Sequence, residues 1–81
     1  MVMSRRKIAK EIVEVIREKK DITKSKLIQD VSKRQGVGSS TVRDLLSQLC
    51  VLGVVGYKVI QTAQVHYVNE EKVGELKKIE G

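Results

Sequence analysis

The stretch Gly36-Val37-Gly38-Ser39-Ser40-Thr41-Val42-Arg43 constrains the fold more than any other part of this chain. It lies between two segments whose apolar residues recur at helical spacing, and it reads as a tight corner followed by a helix start. Gly36 takes a left-handed backbone at no steric cost, so it ends one helix and turns the chain sharply. Val37 then drops between the two helices, and Val42 packs back from the second. The small polar residues Ser39, Ser40 and Thr41 are left at the exposed start of that second helix.

Around this corner the rest of the chain falls into elements. A first helix is predicted over 4–20, capped by Ser4, with Ile8, Ile12, Val15 and Ile16 on one face and Arg5, Lys10, Glu11, Glu14, Arg17 and Glu18 on the rest. Asp21-Ile22-Thr23 is short and β-branched, fitting a small strand from which Thr23 caps a second helix over 24–35. Leu27, Ile28 and Val31 give that helix its buried side. A third helix runs over 39–52, with Val42, Leu45, Leu46, Leu49 and Leu52 inward, and Gly53 stops it. The period then changes to two. Val55, Tyr57 and Val59 alternate in one run and Val65-His66-Tyr67-Val68 follows. Gln61-Thr62-Ala63-Gln64 joins the runs into a hairpin over 54–68, with no Gly or Asn to declare the turn type. Asn69 caps a last helix over 70–79 with Val73, Leu76 and Ile79 as its stripe, weakened by Gly74 by about 1 kcal/mol. The expected fold is one α+β domain over 1–81, mostly α: a three-helix core, a two- or three-stranded β element and a C-terminal helix.

Composition narrows what such a domain can do. Its 81 residues are 41% hydrophobic, which excludes disorder by composition, yet Phe and Trp are absent, so Val, Ile and Leu must build the core. The net charge is +6, and its placement is uneven. Residues 1–34 carry eleven Lys and Arg against five Asp and Glu, whereas residues 35–81 carry five of each. The excess on the first two helices favours a polyanionic partner, or else serves as a solvated surface. No apolar run approaches the roughly 20 residues needed to cross a bilayer. No apolar region follows the basic first residues, so a cytoplasmic, nucleoid-associated location without membrane contact is expected.

The corner and its flanks resemble the winged helix-turn-helix DNA-binding family. Ser32 stands four residues before Gly36, where the family needs close helix approach, and Gly36, Val37, Val42 and Leu45 fall at its glycine, turn and core positions. Thr41-Val42-Arg43-Asp44-Leu45-Leu46-Ser47-Gln48-Leu49 followed by Leu52-Gly53-Val54-Val55 is similar to its recognition helix and the exit into the wing. The resemblance spans about residues 8–68. Gly38 departs from the family's usual Ser cap, and Ser39 can take that role one residue later.

That resemblance implies a small homodimeric transcriptional regulator that binds double-stranded DNA with helix 39–52 in the major groove. Ser39, Ser40 and Asp44 would face base edges, Thr41 and Arg43 the backbone, and Ser47 a position one turn further on. Asp44 can accept from a cytosine amino group, although an ion pair with Arg43 or a neighbouring base fits it better. Lys24, Lys26, Lys33 and Arg34 would meet phosphates from the second helix. Lys58, Gln61, Thr62, Gln64 and His66 would make phosphate or minor-groove contacts from the wing. Arg5, Arg6 and Lys7 form either a basic arm or a solvated tail.

Two other functions compete. From Ser40 to Tyr67 the chain also resembles the small-subunit ribosomal family numbered twenty-five, through Ser40, Arg43, Leu46, Leu49, Gly53 and Ala63-Gln64-Val65-His66-Tyr67. That likeness implies ribosomal RNA as partner. Lys24 departs from it, since that family has Pro there, and no long lysine-rich tail precedes the domain. A winged helix used only for protein contact is the third reading. No nucleophile–base set, phosphate loop or metal-ligand set is legible, so neither an enzyme nor a cofactor is expected. Cys50 reads as a buried free thiol, with an intersubunit disulfide as the alternative, and Tyr57 and Tyr67 as core residues with bonded hydroxyls. The stripes Ile8 and Ile12, and Val73, Leu76 and Ile79, exceed what one small core needs, which predicts a homodimer through the first helix, the last, or both.

Overall fold

Helical spacing of apolar residues draws three helices around one core in the computed structural model, which describes residues 5–79. Helix α1 (Arg5–Glu18) buries Ile8, Ile12, Val15 and Ile16 as expected, and also Ala9 and Val13. Its apolar face is wider than the stripe because α2, α3 and the C-terminal segment all pack against it. The expected start at Ser4 lies outside the described residues. The helix stops at Glu18, two residues before Lys20, because Asp21 turns the chain with a φ of 59°.

The residues after that turn join the hairpin rather than form a strand. Thr23 makes a single antiparallel bridge to Val65, and the His66 N–H donates to the Ile22 carbonyl at 3.1 Å. Ile22 is buried beneath them. Helix α2 (Lys24–Gln35) then buries Leu27, Ile28 and Val31. Thr23 stands at its N-cap with an extended backbone but makes no side-chain cap bond, against expectation.

The corner closes by backbone and side-chain bonds together. Gly36 sits at φ 63°, ψ 36°, and its N–H returns to the Ser32 carbonyl. The Val37 N–H reaches the same oxygen at 3.2 Å, while the Ser32 hydroxyl donates to the Val37 carbonyl. Ser32 is therefore a clasp across the turn, beyond the small volume for which the sequence singled it out. Gly38 is the N-cap of α3 (Ser39–Leu52), so Ser39 is the first helical residue and not the cap. Val42, Leu45, Leu46 and Leu49 are buried, and Leu52 is half-buried at the edge of the core. Gly53, at φ 82°, ends the helix as its spacing predicts.

The hairpin consists of β1 (Val55–Ile60) and β2 (Ala63–Val68), antiparallel, with Val55 opposite Val68 and Ile60 opposite Ala63. That register leaves a loop of only Gln61 and Thr62. Gln61, first of the two, takes a left-handed φ of 57°, a conformation that usually falls to glycine or asparagine. The hairpin is buried at Val54 and Val55 at the start of β1 and at Val65 and His66 in the middle of β2, and its far end stands in solvent. The Asn69 N–H closes the base on the Val54 carbonyl at 2.8 Å.

The last segment, Glu70–Lys78, is a 3₁₀ helix and not the α-helix expected over 70–79. Val73, Leu76 and Ile79 are spaced by three, and three residues per turn stacks them on one line. Leu76 and Ile79 are buried with Ile8 and Ile12 in the single core, and Val73 packs against it. The apolar surplus from which a dimer was expected is thus covered within the chain.

Candidate nucleic-acid interface

Ion pairing sorts the basic residues. Arg34 reaches Glu18 at 2.8 Å and Glu11 at 3.1 Å. Those hydrogen bonds, Glu18 first, push the guanidinium's pKa up and hold Glu18 below the usual carboxylate range. Lys19 and Lys26 both approach Asp30, at 2.5 and 3.5 Å, and the Lys19 hydrogen bond holds Asp30 low. Arg17 bridges Glu70 at 2.6 Å and Glu14 at 2.9 Å. Arg5 pairs with Asp44 at 2.7 Å, and Arg6 donates to the Ile79 and Lys77 carbonyls, both at 3.1 Å. Among the described residues, Lys24, Lys33, Arg43 and Lys58 form no ion pair. A charge already neutralised inside the protein has little left for a phosphate, so these residues outrank Arg34 and Lys26 as contacts.

Three open clefts meet at Lys24, the first residue of α2. One of about 620 Å³ runs between α2 and the start of α3, lined by Lys24, Ser25, Ile28, Gln29, Ser39 and Arg43. A second, of about 560 Å³, runs from Thr23, Lys24 and Ser25 to Thr62, Ala63 and Gln64 at the hairpin end. A third, of about 290 Å³, lies between α3 and the hairpin, lined by Lys24, Leu46, Ser47, Cys50, Tyr57, Gln64 and His66. No carboxylate lines any of the three. The fold therefore gathers Lys24, Ser39, Arg43, Ser47, Thr62 and Gln64, six residues from three parts of the sequence, around one acid-free surface. Helix geometry explains the selection on α3: residues 39, 43, 47 and 50 share a side, facing α2 and the hairpin.

Other expected contacts fall elsewhere. Asp44 is on the far side of α3, lining a cleft with Ser47, Gln48, Val51, Leu52, Lys78 and Ile79, and its partner is Arg5, not Arg43. It is an ion-pair residue, as the sequence favoured, and not a neighbour of Ser39 at a base edge. Ser40 and Gln61 are exposed but line none of the three clefts, and Thr41 is half-buried. Lys33 lies near the C-terminal end of α2, away from Lys24. Lys58 lines a separate cleft with Arg17, Lys20, Asp21 and Glu70. Arg5 and Arg6 belong to α1 and hold it to α3 and the C-terminal segment, so they form neither an arm nor a solvated tail.

The hairpin reverses three expectations. His66 is 4% exposed and cannot reach a partner as a wing contact, and its Nδ1 has no hydrogen-bond partner. Burial holds its pKa below the ordinary histidine value, opposed by the Ile22 carbonyl and reinforced by Lys24. Tyr57 and Tyr67 are half exposed rather than buried. Alternation alone could not say which faces of the hairpin would be covered. Cys50 is half-buried, and desolvation pushes its thiol pKa up, away from the reactive thiolate. Ser25 and Gln29 join the first cleft unforeseen. Both follow Lys24 on the exposed side of an amphipathic helix, which was the available signal.

Among the described residues no group of three or more His, Cys, Asp or Glu side chains could hold a metal ion. None of the described helices is long and apolar enough to cross a membrane. No protein-family model, curated protein or solved structure matches the chain. The fold is a small α+β domain with a helix-turn-helix-like arrangement.

Proposed function

We propose that this chain is a winged-helix nucleic-acid-binding module that lays the Ser39–Ser47 side of α3 into the major groove of double-stranded DNA. Lys24 and Arg43 would meet the flanking phosphates, and the hairpin, as the wing, would reach the next groove with Thr62 and Gln64. The observation that carries the reading is the acid-free convergence of three clefts on Lys24, with Arg43 also free of ion pairs. Elsewhere among the described residues, most acidic side chains are engaged: Glu14 and Glu70 with Arg17, Asp30 with Lys19, Glu11 and Glu18 with Arg34, Asp44 with Arg5, and Glu75 with Lys78. A transcriptional regulator would use a second copy to double its site. With α1 and the C-terminal segment occupied internally, that copy would have to meet other exposed apolar residues, of which Val51 is the most exposed.

A second reading, single-stranded or looped RNA, is favoured by the two half-exposed tyrosine rings on the hairpin, since splayed bases stack on such rings. Gel shifts with random duplex, single strand and ribosomal RNA at two salt concentrations separate the readings. Arg43→Ala and Lys24→Gln should each weaken duplex binding and reduce the log–log salt slope by about one, whereas Arg34→Gln should not. Duplex binding unchanged by both of the first two substitutions sinks the assignment of this face.

A further inference from the structure

The cleft between α3 and the hairpin brings together exposed polar side chains from α2, α3 and both strands. Lys24, Ser47, Tyr57 and Gln64 line it, and none of their side chains makes a hydrogen bond or ion pair within the chain. Three bring neutral donors and the fourth a positive charge. Leu46 gives the wall an apolar portion, and no acid is present to repel an anion. Behind Tyr57, whose ring centroid is 5.9 Å from that of His66, lies Nδ1 of His66, the one buried side-chain nitrogen without a partner among the described residues. Solvent does not reach Nδ1, yet His66 lines the cavity, so its ring lies within range of a charge held there.

We propose that this cavity seats one backbone phosphate of the bound nucleic acid, and that seating it is coupled to uptake of a proton by His66. The proposal rests on the nucleic-acid reading and adds to it a specific subsite and a pH linkage. The physical basis is the field at the imidazole. From the cavity side His66 faces Lys24, with Cys50 and Tyr57 neutral. From the other side it faces Arg17, Lys20 and Lys58 against Asp21 and Glu70, with Arg17 and Glu70 paired to each other. Both sides are thus net positive, and burial adds to the penalty on the imidazolium. A phosphate beside Lys24 cancels that cation and supplies an opposite charge. By linkage, an anion that favours the protonated ring must itself bind more tightly when the ring is protonated.

The test follows the His66 ring protons by NMR from about pH 5 to 8 in the whole chain, alone, with saturating duplex, and with dimethyl phosphate, a diester that does not titrate there. The expected result is an upward move of the His66 titration with duplex and a smaller one with the diester, with the latter lost in Lys24→Gln. Duplex affinity should rise toward acid by at most about tenfold per pH unit, the limit for one proton, and lose that slope in His66→Gln. Duplex binding with an unmoved His66 titration overturns the seat while leaving the nucleic-acid reading intact. A titration moved by the diester, in a chain that binds no duplex or RNA, keeps the seat and removes that reading. Should His66→Gln fail to fold, the wild-type titration decides alone.

Discussion

Gly56 and Tyr67 face each other across the hairpin, and replacing the glycine should have opposite effects depending on whether the ring is present. A Cβ added at Gly56 would fall within the tyrosine ring, 2.8 Å from Cε2 and closer still to Cζ and the hydroxyl. The backbone of Gly56 is not left-handed, so alanine fits the strand itself and the ring must yield. Tyr67 is 50% exposed, so about 100 Å² of a side chain of roughly 200 Å² is covered, worth about 2.5 kcal/mol at most. Swinging the ring off the glycine forfeits about half of that. Removing glycine from the unfolded chain returns about 0.5 kcal/mol. Gly56→Ala should therefore destabilise the native protein by roughly 1 kcal/mol, or about 6 °C in Tm for a domain of about 80 residues. In a Tyr67→Ala background the same substitution should stabilise by about 0.5 kcal/mol. Thermal and urea melts of the four proteins complete the cycle. Shifts of equal sign and size in both backgrounds, with coupling below about 0.3 kcal/mol, refute the reasoning.

Gly36→Ala should cost about 1–2 kcal/mol through its left-handed backbone alone, because the added methyl meets nothing within 4 Å, and Gly36→Asn should recover part of the loss in the same melts. Leu45→Ala, deep in the core, should cost about 3 kcal/mol, while Val51→Ala, at 88% exposed, should stay within about 0.5 kcal/mol of the parent. Glu18, Asp30, Glu70 and Glu75 are all held below their ordinary pKa values, chiefly by hydrogen bonds from Arg34, Lys19, Arg17 and Lys78 respectively. In acid the unfolded chain therefore binds more protons than the native one. Their contribution is complete above about pH 4.5 and is lost as pH falls through the depressed values, and urea midpoints in Asp30→Asn should show a shallower acid decline than the parent.

Local chemistry made much of this molecule legible. Gly36 and Gly53 end their helices where their backbone freedom predicted, and the stripes of α1, α2 and α3, recurring every three or four residues, point inward because water drives that choice at every turn. The same locality explains the errors. The spacing of Val73, Leu76 and Ile79 fits both helix types, and only packing against α1 and α3 accompanies the tighter one here. Tyr57 alternates with Val55 on one face, yet Val55 is covered and Tyr57 is not, although His66 opposite Tyr57 is buried. Arg34 and Lys24 look alike in sequence as basic residues of one helix. Their difference arises from Glu11 and Glu18, brought over from α1.

By itself the sequence determined the order of the elements, the corner at residues 36–38 and the apolar side of each helix. These depend on backbone conformation and on periodicity, which neighbours along the chain encode. The tertiary structure alone decided which cations remain free, where His66 and the tyrosines sit relative to solvent, and that α1 and the C-terminal segment cover each other. Those outcomes depend on charges and surfaces brought together from distant positions, and Coulombic attraction and burial act through space without regard to sequence separation.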